Sequence, residues 1–80
     1  MTPVSIQVSV GRAVRRLRKA AGHSQESFAH ECRCHRTYIG LVERGEVNVS
    51  IEIVDVIART LGLSLARFMT EVEREYQPQQ

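Results

Sequence analysis

Apolar residues recur along this chain at helical spacing, in short runs punctuated by glycine and serine. Val10, Val14, Leu17 and Ala21 fall at i, i+4, i+7 and i+11, which predicts a first helix over Gln7 to Ala21. Gly22 then stands where a left-handed residue closes a helix. Ser24 is a suitable N-cap for a second helix over Gln25 to Cys32, because its hydroxyl can accept from an orphan N–H. A third helix runs from Arg36 to Arg44, turns Ile39 and Val42 inward, and stops at Gly45. Ser50 caps a fourth, Ile51 to Leu61, closed by Gly62; Ser64 caps a fifth, Leu65 to Glu75. The pattern predicts an all-α domain of five short helices spanning the whole chain. Residues 1–6 are expected to form a flexible arm and residues 77–80 a frayed tail. Val4 to Val10 alternates as a strand would, but no partner strand is in sight, so it reads as helix start or ordered arm.

The fourth helix carries a surplus. Ile51, Val54, Ile57, Ala58 and Leu61 fill one face, yet Ile53 and Val56 lie off it, and Val47 and Val49 precede it in a loop. More apolar surface than one core can hide is usually covered by something else. The fifth helix adds a stripe of Leu65, Phe68, Met69, Val72 and Tyr76. Together these predict a symmetric homodimer with Ile53, Val56, Phe68 and Val72 at its interface. The plainer alternative is a small protein that exposes a few valines.

Composition narrows the class. Eighty residues make one small domain near the lower limit for a single core, and with no Trp the core must be aliphatic. Two cysteines do not build a disulfide scaffold. No apolar run is long enough to span a bilayer and no signal peptide opens the chain, so a cytoplasmic protein is expected. The net charge of +2 is unevenly spread. Up to Arg44 the bases are Arg12, Arg15, Arg16, Arg18, Lys19, Arg33, Arg36 and Arg44, against Glu26, Glu31 and Glu43. Afterwards Arg59, Arg67 and Arg74 face Glu46, Glu52, Asp55, Glu71, Glu73 and Glu75. A basic half and an acidic half suit a polyanion on one side only.

The second and third helices, separated by a three-residue break, read as a helix-turn-helix, whose second helix lies in a DNA major groove. His30, Cys32, Cys34 and His35 crowd the same region. Structural zinc normally joins two separated ligand pairs, and both cysteines fall on apolar positions, so they read as packing residues. No carboxylate is placed to orient a Cys–His pair for nucleophilic catalysis. Neither metal nor cofactor nor enzymatic activity is expected.

Ser24-Gln25, Phe28-Ala29, Thr37-Tyr38-Ile39, Glu43-Arg44-Gly45 and Ile57-Ala58 with Leu61-Gly62-Leu63-Ser64 resemble the lambda-repressor-like (XRE) family of bacterial and phage regulators. The resemblance covers roughly Gly11 to Met69. His35-Arg36-Thr37-Tyr38-Ile39 followed by Glu43-Arg44 is similar to the small controller proteins of restriction–modification systems. It implies that Gln25 binds a phosphate, that Arg36 and Thr37 meet base edges with Leu41 adding an apolar contact, and that Tyr38 and Arg44 touch the DNA backbone. Arg33 stands where glycine is usual and His35 where Ser, Thr or Asp usually caps, making both secondary backbone contacts. The resemblance also implies an Arg18–Glu43 ion pair that is structural and outside the reading set.

The expected function is transcriptional regulation by a homodimer on an inverted repeat of double-stranded DNA, with half-sites about 34 Å apart. Regulation would come from occupying or bending promoter DNA or from touching RNA polymerase. A restriction–modification controller is the first reading. A phage-type or toxin–antitoxin repressor is the second, and a protein-interaction module on the same fold the third.

Overall fold

Four serines start four of the five helices. In the computed structural model, which describes residues 5–76, these helices are α1 Ile6–Ala20, α2 Gln25–Cys32, α3 Arg36–Glu43, α4 Ile51–Thr60 and α5 Leu65–Glu75. The hydroxyls of Ser5, Ser24, Ser50 and Ser64 accept from the N–H groups of Val8, Ser27, Ile53 and Arg67. Each satisfies one donor that a helix start leaves free. Ser5 caps and Ile6 opens α1, so the expected arm over residues 1–6 is corrected there. The rest of the arm and the 77–80 tail lie outside the described residues.

Helix α1 packs on α3 and α5, α2 on α3 and α4, and α4 on α5. Between them Val14, Phe28, Ile39, Ile57, Phe68 and Val72 are essentially sealed from solvent. Phe28 and Phe68 thus stand in a core expected to be aliphatic, and each contributes about 1.5–3 kcal/mol. Ser9 is sealed too, and its hydroxyl donates to the Ser5 carbonyl at 2.9 Å. Among the described residues no buried side-chain polar atom lacks a partner.

Two of the four expected interface residues are thereby corrected. Phe68 and Val72 are both 0% exposed and belong to the protomer's own core, which α5 closes. Val56 stays 40% exposed on α4, and Ile53 is half-buried against the core. Periodicity puts Ile51 on the inner face, but it is the first residue of α4 and is 63% exposed. On the far side, Arg16 of α1 reaches Glu75 at 2.8 Å and Glu71 at 3.0 Å. The hydrogen bond to Glu75 holds the Arg16 guanidinium above its ordinary value; burial opposes it, and the hydrogen bond to Glu71 and the charges of both carboxylates add to the rise. Arg16 thus ties α5 to α1.

Candidate nucleic-acid interface

The turn between α2 and α3 sets how the two helices meet. Arg33 takes φ 58° and ψ 43°, a left-handed backbone that costs a non-glycine residue about 1–2 kcal/mol. Its N–H reaches the His30 carbonyl at 3.1 Å, and the Cys34 N–H reaches the Ala29 carbonyl at 2.9 Å. The last carbonyls of α2 are thus satisfied in a Schellman motif, with the Arg33 side chain left exposed. His35 caps α3: its Nδ1 accepts the Thr37 N–H at 3.0 Å. A neutral imidazole accepting at Nδ1 carries its proton at Nε2, so the exposed ring offers an N–H donor.

Buried charge fastens the far end of α3. Arg18 Nε lies 2.6 Å from Glu43 Oε2, and Nη2 lies 3.1 Å from Oε1. Arg18 Nη1 donates to the His23 carbonyl at 2.8 Å. Gln25 Nε2 donates to Glu43 Oε1 at 3.0 Å. The Arg18 and Glu43 side chains are 8% and 3% exposed, so one carboxylate ties α1, α2 and α3 together away from solvent. One amide N–H of Gln25 is committed to this knot.

Gly11 is the contributor that hydrophobic spacing does not reveal. A Cβ there would sit 2.3 Å from the Val42 carbonyl oxygen and 2.6 Å from that of Glu43. Backbone meets backbone where α1 crosses the end of α3. Gly45, at φ 70°, lies against Val8 in the same way, where a Cβ would meet the Val8 side chain at 2.7 Å. The available signal was a glycine inside a helical pattern, which weakens the helix and so has a reason to be there.

What α3 leaves uncovered is the side that carries the residues expected to meet DNA. Arg36, Thr37 and Arg44 are exposed, and Tyr38 and Leu41 half-buried. Residues 36, 37, 40, 41 and 44 share one side at helical spacing. Arg36 Nη1 lies 3.9 Å from Glu26 Oε2, with side chains 64% and 78% exposed, a loose surface pair worth little. Arg36 is therefore free to exchange Glu26 for another acceptor.

Cys32 is buried and Cys34 half-buried. Burial pushes both thiols up, and for Cys32 a hydrogen bond with Thr60 partly opposes it. A raised thiol stays protonated at neutral pH and is a poor nucleophile. Alkylation by iodoacetamide at pH 7.5, followed by mass spectrometry, should therefore label Cys34 slowly and Cys32 only on unfolding. Prompt modification of both would contradict this packing role. Among the described residues no group of three or more His, Cys, Asp and Glu is placed to hold a metal, and no helix is long and apolar enough to cross a membrane.

The pattern of the helix-turn-helix domain family matches residues 9–68. Control protein C.BamHI of Bacillus amyloliquefaciens is 42% identical over 60 residues, which cover 74% of each chain. Control protein C.MunI of a Mycoplasma species is 35% identical over 71 residues, covering 88% of this chain and 96% of that one. The chain belongs to the helix-turn-helix control proteins. The control-protein fold also matches in space. The restriction–modification controller C.Esp1396I, solved as a tetramer in complex with its natural 35-base-pair operator, superposes with a TM-score of 0.82 at 26% identity. The match covers 90% of this chain and 95% of that one. In this control protein the family's helix-turn-helix corresponds to α2, the Arg33–His35 turn and α3.

Proposed function

We propose that this control protein binds double-stranded operator DNA sequence-specifically as a homodimer and regulates transcription of a restriction–modification system. The observation that carries the reading is the exposed Arg36–Thr37 head of α3, on a helix fixed at its other end by the Arg18–Glu43–Gln25 knot. A guanidinium there can pair with guanine O6 and N7, and the Thr37 methyl can touch a thymine methyl. Leu41 adds an apolar contact one turn on. Gln25, Arg33, His35, Tyr38 and Arg44 are assigned to the DNA backbone, where they position the helix without reading sequence.

Of the four expected interface residues, Val56 and the half-buried Ile53 are left for contact with a second protomer. Contact with RNA polymerase would be the route to activation, and a cytoplasmic location suits a partner of DNA. Binding, with no chemistry on a substrate, is the whole activity proposed.

Selection of bound sequences from a random DNA pool, followed by footprinting, tests the reading. An inverted repeat should emerge. Arg36→Ala should cost about 1–3 kcal/mol on that site and relax the preference at one position per half-site. Gln25→Ala should weaken selected and random DNA alike. Unselective binding, or an Arg36→Ala variant indistinguishable from the parent, would sink the proposal. For the homodimer, sedimentation at the 9.1 kDa of one chain at micromolar concentration would do the same.

A further inference from the structure

Gly40 stands in the interior of α3, where glycine weakens a helix relative to alanine. Nothing in the left-handed region demands it, since its backbone is helical. It lies one turn after Arg36 and one turn before Arg44 on the side assigned to the groove. Although on that outward side, Gly40 is buried. What covers it is the Arg44 guanidinium: a Cβ on Gly40 would lie 3.2 Å from Nη1, 3.9 Å from Cζ and 4.0 Å from Nη2. Arg44 therefore folds back along the helix instead of leaving its end. Glu46 holds it there, its Oε1 accepting from Arg44 Nε at 3.1 Å. That bond occupies Nε and leaves the Nη1–Nη2 edge free on a side chain that is still 57% exposed.

We propose that Gly40 and Arg44 form a composite base reader, in which the missing side chain at position 40 admits the Arg44 guanidinium onto the reading face to pair with a guanine. The inference rests on the DNA-binding reading and moves Arg44 from backbone contact to base contact. A two-pronged guanidinium edge matches guanine O6 and N7, and a lysine cannot reproduce it. A phosphate asks only for positive charge, which lysine supplies. Alanine at position 40 would crowd the guanidinium at 3.2 Å. The crowded atoms are the far end of a flexible side chain, so Arg44 swings away while the fold stays intact.

The experiment is selection from a random DNA pool with the full chain, Gly40→Ala, Arg44→Lys and the double variant. The parent should specify guanine at a second position per half-site, besides the one that Arg36→Ala relaxes. Gly40→Ala and Arg44→Lys should each lower the preference at that same second position by about tenfold, and the double variant by no more than either. The melting temperature of Gly40→Ala should be unchanged or higher. A lysine variant that keeps the preference would return Arg44 to the backbone. Equal weakening of all sequences by Gly40→Ala, in the lysine background as well, would mean that the glycine merely lets DNA approach. Either result overturns the composite reader and leaves the regulator reading standing. A parent that selects no inverted repeat overturns both.

Discussion

Glu43→Ala is expected to destabilise the domain by about 3–5 kcal/mol, because it leaves the Arg18 guanidinium buried without its partner. Arg18 Nε and Nη2 and the Gln25 amide all converge on that carboxylate, so three donors lose their acceptor at once. Small domains hold about 5–15 kcal/mol in all, and the loss places this one near its unfolding threshold. Urea denaturation followed by circular dichroism reads the effect directly. Replacing both partners with apolar residues, as in Arg18→Met with Glu43→Leu, should recover most of the stability. It should not recover operator affinity, because the angle of α3 would no longer be pinned. A single Glu43→Ala variant with an unmoved midpoint would show that water reaches the pair and that the knot does not hold α3.

Gly11→Ala is the other substitution with a large expected effect. The added methyl meets two carbonyl oxygens of α3 at 2.3 and 2.6 Å, and backbone cannot swing aside as a side chain can. Either α1 and the end of α3 move apart or the helices tilt. Overpacking of this kind costs about 1–3 kcal/mol, occasionally more, and the upper end is expected here because both contacts are backbone. Helix propensity works in the opposite direction, since alanine is favoured over glycine by about 1 kcal/mol. Competition between the two makes the experiment informative. A variant with normal stability and normal operator binding would show that the crossing is slack; loss of binding beyond loss of stability would show that α3 has shifted.

Much of this architecture was legible from local chemistry. Ser24, Ser50 and Ser64 announce helices because a cap depends on residues three apart, and Gly22, Gly45 and Gly62 mark their ends for equally local reasons. Ser5 carries the same signal, masked by the alternation from Val4 to Val10. What spacing could not resolve was which apolar face met which. Phe68 and Val72 lie on a stripe that fits a partner chain as well as the chain's own core, and only the packing of α1 on α5 decides between them. Arg16 looked like one more base among many because its acceptors, Glu71 and Glu75, lie more than fifty residues away. Arg36 and Thr37 stand out from the motif and are exposed at the head of α3. Gly40 does not stand out, because its meaning depends on where the Arg44 side chain comes to rest.

The placement of α5 has a consequence for synthesis. The helix-turn-helix is complete by Gly45, little more than halfway along the chain, yet Phe68 and Val72 must arrive before the core that supports it can close. Until α5 has been made, the helix-turn-helix lacks part of the core that supports it. Even after Gly45 has emerged, α1 lacks the late helix it must lie against. Premature termination anywhere before α5 should yield a fragment without a stable core, exposed to proteolysis and poor at holding DNA. Fragments that stop short of α5 are therefore expected to compete poorly for DNA.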